Sequence, residues 1–114
     1  MAKDVKKRKR TAHTEDMRQT FIQLTPTNYE RMKGTKGNKG IIVERLIERH
    51  KSEARDLPKL TEPMKRNEAG KFMGIAPHLP LFAREYLIAH KATTGESASR
   101  HINRLMLAYL YNNE

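Results

Sequence analysis

Two short stretches of the chain alternate or extend like strands, and each runs straight into a stretch with helical periodicity. In the first, residues 18–24, Thr20, Ile22 and Leu24 point to one side and Gln19, Phe21 and Gln23 to the other. A lone strand of this length needs a partner. Thr25 then offers a capping hydroxyl and Pro26 suits the first helical position, where a missing N–H costs nothing. The helix so started covers about residues 26–33, with Tyr29 and Met32 on one face. Gly34, Gly37 and Gly40 punctuate the next connection. Asn38 caps a second helix, in which Ile42, Val43, Leu46, Ile47 and His50 recur at helical spacing and Glu44, Arg45, Glu48 and Arg49 form the wet face.

From residue 52 to residue 70 the pattern dissolves into Pro58, Pro63, scattered charges and Gly70, which reads as a linker. Fully extended, such a segment covers roughly 60 Å and restrains the two halves little. The second half then repeats the plan of the first. Residues 71–79 are a strand candidate, and Pro80 follows Leu79 much as Pro26 follows Leu24 and Thr25. A helix carries Phe82, Tyr86, Ala89 and His90 on its apolar side. Thr94-Gly95-Glu96-Ser97 supplies a turn and a cap, and Ala98, Ile102, Leu105, Met106 and Tyr109 mark the last helix. Laying Asn38 on Ser97 places Val43 on Ile102, Leu46 on Leu105 and Ile47 on Met106. The organisation expected is a disordered basic arm over 1–16, a first strand-helix-helix repeat over 17–52, a linker over 53–70 and a second repeat over 71–114.

Composition sharpens this picture in three ways. With 114 residues and 37% apolar content, a core forms only if the two halves share it. A net charge of +10 and a pI near 10.1 favour a polyanionic partner. The absence of cysteine excludes disulfides and thiolate zinc sites and suits a reducing cytoplasm. No apolar run is long enough to cross a bilayer and no signal-peptide segment opens the chain, so a soluble, intracellular protein is expected. The basic residues are spread out rather than gathered on one amphipathic face, which argues against a membrane-surface helix. The five histidines, His13, His50, His78, His90 and His101, show no ligand-like spacing, and no nucleophile–base pair stands out. Neither an enzyme nor a metal or cofactor site is therefore expected.

The residues Phe21-Ile-Gln-Leu-Thr-Pro-Thr-Asn-Tyr-Glu-Arg-Met32 and the turn Gly95-Glu-Ser-Ala-Ser-Arg-His-Ile-Asn-Arg-Leu105 resemble the ribbon-helix-helix family of DNA-binding proteins. The resemblance covers about two-thirds of the chain. It implies a mainly α fold with a short two-stranded antiparallel ribbon, one strand from each unit, lying in the major groove of double-stranded DNA over a four-helix core. Two repeats in one chain imply a tandem ribbon-helix-helix pseudo-dimer, as in tandem members that include relaxosome accessory proteins of conjugative plasmids, the alternative being that each repeat pairs with its twin in another chain. By the same resemblance, Gln19, Phe21 and Gln23, with His78 on the second strand, are base-reading positions, while a strand register one residue off makes Phe21 a core residue instead. Phosphate contacts fall to the basic arm residues Lys6, Lys7, Arg8, Lys9 and Arg10, to Arg18, and to the starts of the second helices at Asn38, Lys39, Ser97, Ser99 and Arg100. The function implied is sequence-specific repression of transcription or an accessory role on plasmid or phage DNA, on the nucleoid in the cytoplasm, with self-association on adjacent DNA sites.

The chain departs from the family pattern at named places. Pro77 removes a ribbon donor, and Gly74 and Ala76 offer little to read bases with. Leu24 lies 14 positions before Asn38 but Leu79 lies 18 before Ser97, so the first helix of the first repeat is about a turn shorter. A different resemblance leads to a different function. Gly34-Thr-Lys-Gly37-Asn-Lys-Gly40 also looks like the Gly-x-x-Gly loop of KH domains, which clamps single-stranded RNA.

Overall fold

The computed structural model describes residues 16–111. The arm positions Lys6 to Arg10 lie outside the described residues. The chain is mainly helical, with one small two-stranded antiparallel ribbon. Strand β1 (Arg18–Gln19) pairs with β4 (His78–Leu79), and β2 (Ile22–Gln23) pairs with β3 (Gly74–Ile75). Both ladders keep one register, since Arg18 faces Leu79, Gln19 faces His78, Ile22 faces Ile75 and Gln23 faces Gly74. Between them the Thr20 N–H donates to the Pro77 carbonyl at 2.8 Å. Pro77 has no N–H to return, and that single missing donor is why the ribbon falls into two ladders.

Each strand turns into a helix at the residues that the chemistry demands. Helix α1 (Pro26–Lys33) begins where the Thr25 hydroxyl accepts the Asn28 N–H at 3.3 Å. Helix α2 (Lys39–Glu53) begins where Asn38 Oδ1 accepts the Ile41 N–H at 3.1 Å. Helix α3 (Leu81–Thr94) starts directly behind β4 and ends at Gly95, whose φ of 82° is the left-handed turn that glycine adopts without a Cβ penalty. Helix α4 (Ala98–Leu105) begins where Ser97 Oγ accepts the Arg100 N–H at 3.2 Å, and a π-helical turn, Met106–Leu110, carries it on. Helix α1 has 8 residues and α3 has 14, so the shorter first helix expected from the cap spacing is present.

The two halves share one core. Ile22, Leu24, Met32, Val43, Leu46 and Ile47 from the first half pack with Leu79, Ala83, Leu87, Ile102, Leu105, Met106, Ala108 and Tyr109 from the second. The packing is crossed, because α2 rests against β4 and α4 rests against β2. The α3 face differs from expectation. Ala83 and Leu87 are buried, Tyr86 and His90 are half-buried, and Phe82 and Ala89 are exposed. This helix carries apolar residues nearly all round, with Leu81, Phe82 and Ile88 exposed, so periodicity alone placed its inner stripe one residue off.

The connection between the halves is not a free tether. Arg104 donates from Nη2 to the Leu57 carbonyl at 3.1 Å and from Nε to that of Pro58 at 2.9 Å. Arg55 Nη1 donates to the Ala108 carbonyl at 3.0 Å. Glu62 accepts the Thr27 N–H at 3.1 Å and the Thr27 hydroxyl at 2.7 Å, supplying a carboxylate at the start of α1. Those hydrogen bonds, Thr27's hydroxyl foremost, hold the Glu62 carboxyl below its usual range. The segment therefore runs along α4 and past the start of α1, and its route is set by these bonds.

A buried amide ties the ribbon to the helices. Asn103, fully buried, accepts the Thr25 N–H and the Asn28 Nδ2 amide on its Oδ1, each at 3.0 Å. Its Nδ2 donates to the Gln23 carbonyl at 2.9 Å and to the Ser99 carbonyl at 2.7 Å. Every hydrogen-bonding site of that side chain is used, so a shape-matched apolar residue would strand several buried partners at once. Replacing Asn103 with Leu should lower unfolding stability by about 3 kcal/mol, read as a reduced urea midpoint at unchanged m-value.

Candidate nucleic-acid interface

The outer face of the ribbon is built by strict alternation. Ile22, Leu24, Pro77 and Leu79 turn into the core, and Gln19, Phe21 and His78 turn outward and are exposed, with Gln23 half-buried beside them. Gln19 and His78 are direct cross-strand neighbours, and the Gln19 amide donates to the Ala76 carbonyl at 3.3 Å. Gln23 lies at the other end of the ribbon, four residues or about 13 Å along the strand. Its N–H donates to Ser99 Oγ at 2.9 Å, so its backbone is held by α4.

Phe21 is 66% exposed and is the most prominent apolar group of this face. The ring of Phe72 meets it edge-on, with centroids 6.1 Å apart and planes at 86°. Phe72 also lies across Gly74, where a Cβ would stand 2.6 Å from the ring and 2.2 Å from the Ile22 carbonyl oxygen. Gly74 is thus a seat for an aromatic ring as well as a strand position. Phe72 was not among the residues that the sequence singled out. Its spacing from Gly74 and Ala76, large then small then small on one face, was the available signal.

The two capped helix starts flank this face. The start of α2 comes so close to β4 that a Cβ on Gly40 would lie 2.7 Å from the His78 carbonyl oxygen. Asn38, Lys39, Gly40 and His78 line the cleft between them. Lys39 turns its ammonium back onto the Thr35 carbonyl, at the turn between α1 and α2. At the other end, Ser97 caps α4, Ser99 holds Gln23, and the largely exposed Arg100 lies 3.9 Å from the Glu96 carboxylate. Asn38, Lys39 and His78 thus meet at one end of the ribbon, and Ser97, Ser99 and Gln23 at the other. Arg18, exposed at the ribbon end, pairs with Asp16 at 3.2 Å, and Asp16 also pairs with Arg84 at 3.0 Å. The Arg84 hydrogen bond is the main reason the Asp16 carboxyl sits below its usual range. Of the glycines in the 34–40 segment, Gly34 closes α1, Gly37 takes a φ of 111°, and Gly40 lets α2 touch the ribbon.

Gly40→Ala tests that contact. Alanine favours the helix by up to about 1 kcal/mol, but its Cβ meets a backbone carbonyl that cannot rotate away. The net result should be a loss of about 1–2 kcal/mol in a denaturant titration, with the backbone amide resonances of His78 and Leu79 displaced in a heteronuclear spectrum. Comparison with protein-family models, with curated proteins and with solved structures finds no match to this chain.

Proposed function

We propose that the chain is a tandem ribbon-helix-helix pseudo-dimer that binds double-stranded DNA by laying its ribbon in the major groove. The observation that carries this reading is the crossed packing of the two halves. The second helix of each half rests on the strand of the other, through Gly40 at His78 and Ser99 at Gln23. Those two contacts occupy equivalent positions when Asn38 is laid on Ser97 and Leu24 on Leu79, which is the relation expected of two interlocked strand-helix-helix units. A net charge of +10 supports a phosphate partner. The ribbon's outward Gln19, Phe21, Gln23 and His78 support base reading, since an amide pairs bidentately with adenine and an aromatic ring meets a thymine methyl. Phe72 joins them as the group that props Phe21.

In this reading the helix starts at Asn38 and Ser97 hold phosphates on either side of the groove, with Lys39, Ser99, Arg100, Arg18 and the basic arm adding contacts. The two reading strands are unequal, because Gly74 and Ala76 leave the second one poor in polar side chains. A half-site asymmetry in the bound sequence follows. The biological role proposed is a repressor or a plasmid or phage DNA accessory factor acting on the nucleoid in the cytoplasm, with further copies aligned on adjacent sites. The reading assigns no catalytic group. Single-stranded RNA binding through the Gly34–Gly37 loop is less well supported, since Gly40 serves packing and Lys39 turns back onto Thr35.

Three measurements test the reading. Without DNA, sedimentation equilibrium should give one chain of 13.3 kDa, and a stable species of twice that mass at low concentration would oppose intrachain pairing of the halves. Mobility shifts should favour duplex DNA over single-stranded RNA, with affinity for a selected duplex falling roughly a thousandfold between 50 and 200 mM salt if about six phosphates are neutralised. Gln23→Ala should cost about 1–3 kcal/mol of sequence preference while leaving the salt slope unchanged. Equal affinity of that variant for every duplex that the parent discriminates would remove the ribbon from the interface.

A further inference from the structure

Away from the ribbon, the turn between α3 and α4 gathers three groups that are far from obvious in the sequence. His90 sits near the end of α3, Glu96 in the turn and His101 in the first turns of α4. One carboxylate oxygen, Glu96 Oε1, meets His90 Nε2 at 2.7 Å and His101 Nδ1 at 3.2 Å. The three potential ligand atoms all lie within 4.8 Å of one another. The two imidazoles are stacked, with centroids 3.7 Å apart. Glu96 is nearly enclosed and His101 is fully buried. From this geometry we infer that His90, Glu96 and His101 form a binding site for a divalent transition-metal ion of the zinc type.

The chemistry fits such an ion in three respects. Two imidazole nitrogens and one carboxylate oxygen are a donor set that zinc, cobalt and nickel accept, with a fourth position left to solvent. Donor atoms arranged tetrahedrally at about 2.0–2.1 Å from a metal stand roughly 3.3 Å apart, close to the 2.7 and 3.2 Å already present. The ligand nitrogens of His90 and His101, within 4.8 Å of each other, close the set by side-chain rotation. The second shell is also in place. Tyr86 Oη lies 2.7 Å from His101 Nε2. A hydroxyl both donates and accepts, so when Nδ1 binds an ion and the neutral ring carries its proton on Nε2 instead, exchanged through solvent, Tyr86 Oη can accept that N–H.

Burial, with the neighbouring His90, pushes the His101 imidazole down to about 4. Burial alone would raise the Glu96 carboxyl, but the hydrogen bonds from Arg104 and His90 outweigh it and hold it at about 2. Burial likewise lowers His50 and raises the Tyr86 hydroxyl, which stays protonated. The surrounding charge is mixed. Arg104 Nη1 occupies the other carboxylate oxygen, Oε2, at 2.7 Å, and Arg100 lies 3.9 Å from it. That leaves Oε1 for the ion and limits affinity, since the two guanidinium groups repel a further cation. The His50 ring stands edge-on to His101 at 5.8 Å, and its Nδ1 is engaged with Tyr109 at 2.7 Å.

The test uses the full chain without an affinity tag, freed of metal by a chelator. Titration with Co(II) should produce the visible absorption of a four-coordinate ion at one equivalent, abolished by adding Zn(II). Zn(II) at a hundredfold excess over its dissociation constant should raise Tm by roughly 10 °C. Because His101 is buried and its replacement would disturb the packing around it, His90→Gln is the decisive variant. It should fold, by circular dichroism, and bind Zn(II) at least tenfold more weakly, whereas His78→Gln should bind like the parent. A Co(II) spectrum of the hydrated ion alone, or equal Zn(II) affinity in His90→Gln, would overturn the site.

Discussion

The ribbon depends on a floor that neither half of the chain can build alone. Paired strands this short expose as much backbone as they protect, and they persist only where one face is covered. Here Ile22, Leu24 and Leu79 seat that face on α2 and α4, and the helices reach across, α2 to β4 and α4 to β2. The crossing makes the two halves one cooperative unit. Melting either second helix would uncover the strand of the other half, and parting the strands would open the shared core.

Polar anchors give this apolar arrangement its exact register. An apolar floor by itself tolerates sliding, since Ile, Leu and Met pack in many ways. The buried Asn103 does not, because its amide satisfies the Gln23 carbonyl and the Thr25 N–H at one particular offset between strand and helix. Ser99 adds the Gln23 N–H, so both backbone groups of one outward-facing residue are held from below. At the opposite end Gly40 of α2 closely approaches the His78 carbonyl, and Arg84 Nε donates to the Leu79 carbonyl at 3.2 Å. The two ends of the ribbon are thus held through different contacts.

The connecting segment and the α3–α4 turn show how arginine and glutamate organise irregular backbone. Arg104 holds the carbonyls of Leu57 and Pro58 with one edge of its guanidinium and Glu96 with another. That one side chain links the connection between the halves to the histidine cluster. A change of charge or ligand at Glu96 would therefore be felt both along α4 and in the segment that joins the halves. Planar, multidentate arginine suits this role in a way that lysine would not.

Much of the architecture was legible in the residues themselves. Thr25-Pro26, Asn38 and Ser97 mark helix starts because their side chains or missing N–H meet the needs of a helix end locally. The alternation of 18–24 offered two sides, and the structure placed Phe21, which either register could have used, on the outward one. The buried stripe of α3 was not readable, because apolar residues surround that helix and only packing chooses among them. Nor was the path of the connecting segment, which depends on arginines distant in sequence. The Phe72–Gly74 seat and the meeting of His90, Glu96 and His101 belong to the same class. What the sequence determined by itself was local, namely caps, turns, periodicity and charge. What the tertiary structure decided was which distant groups share a surface, because that depends on how two halves interlock rather than on any segment's own preference.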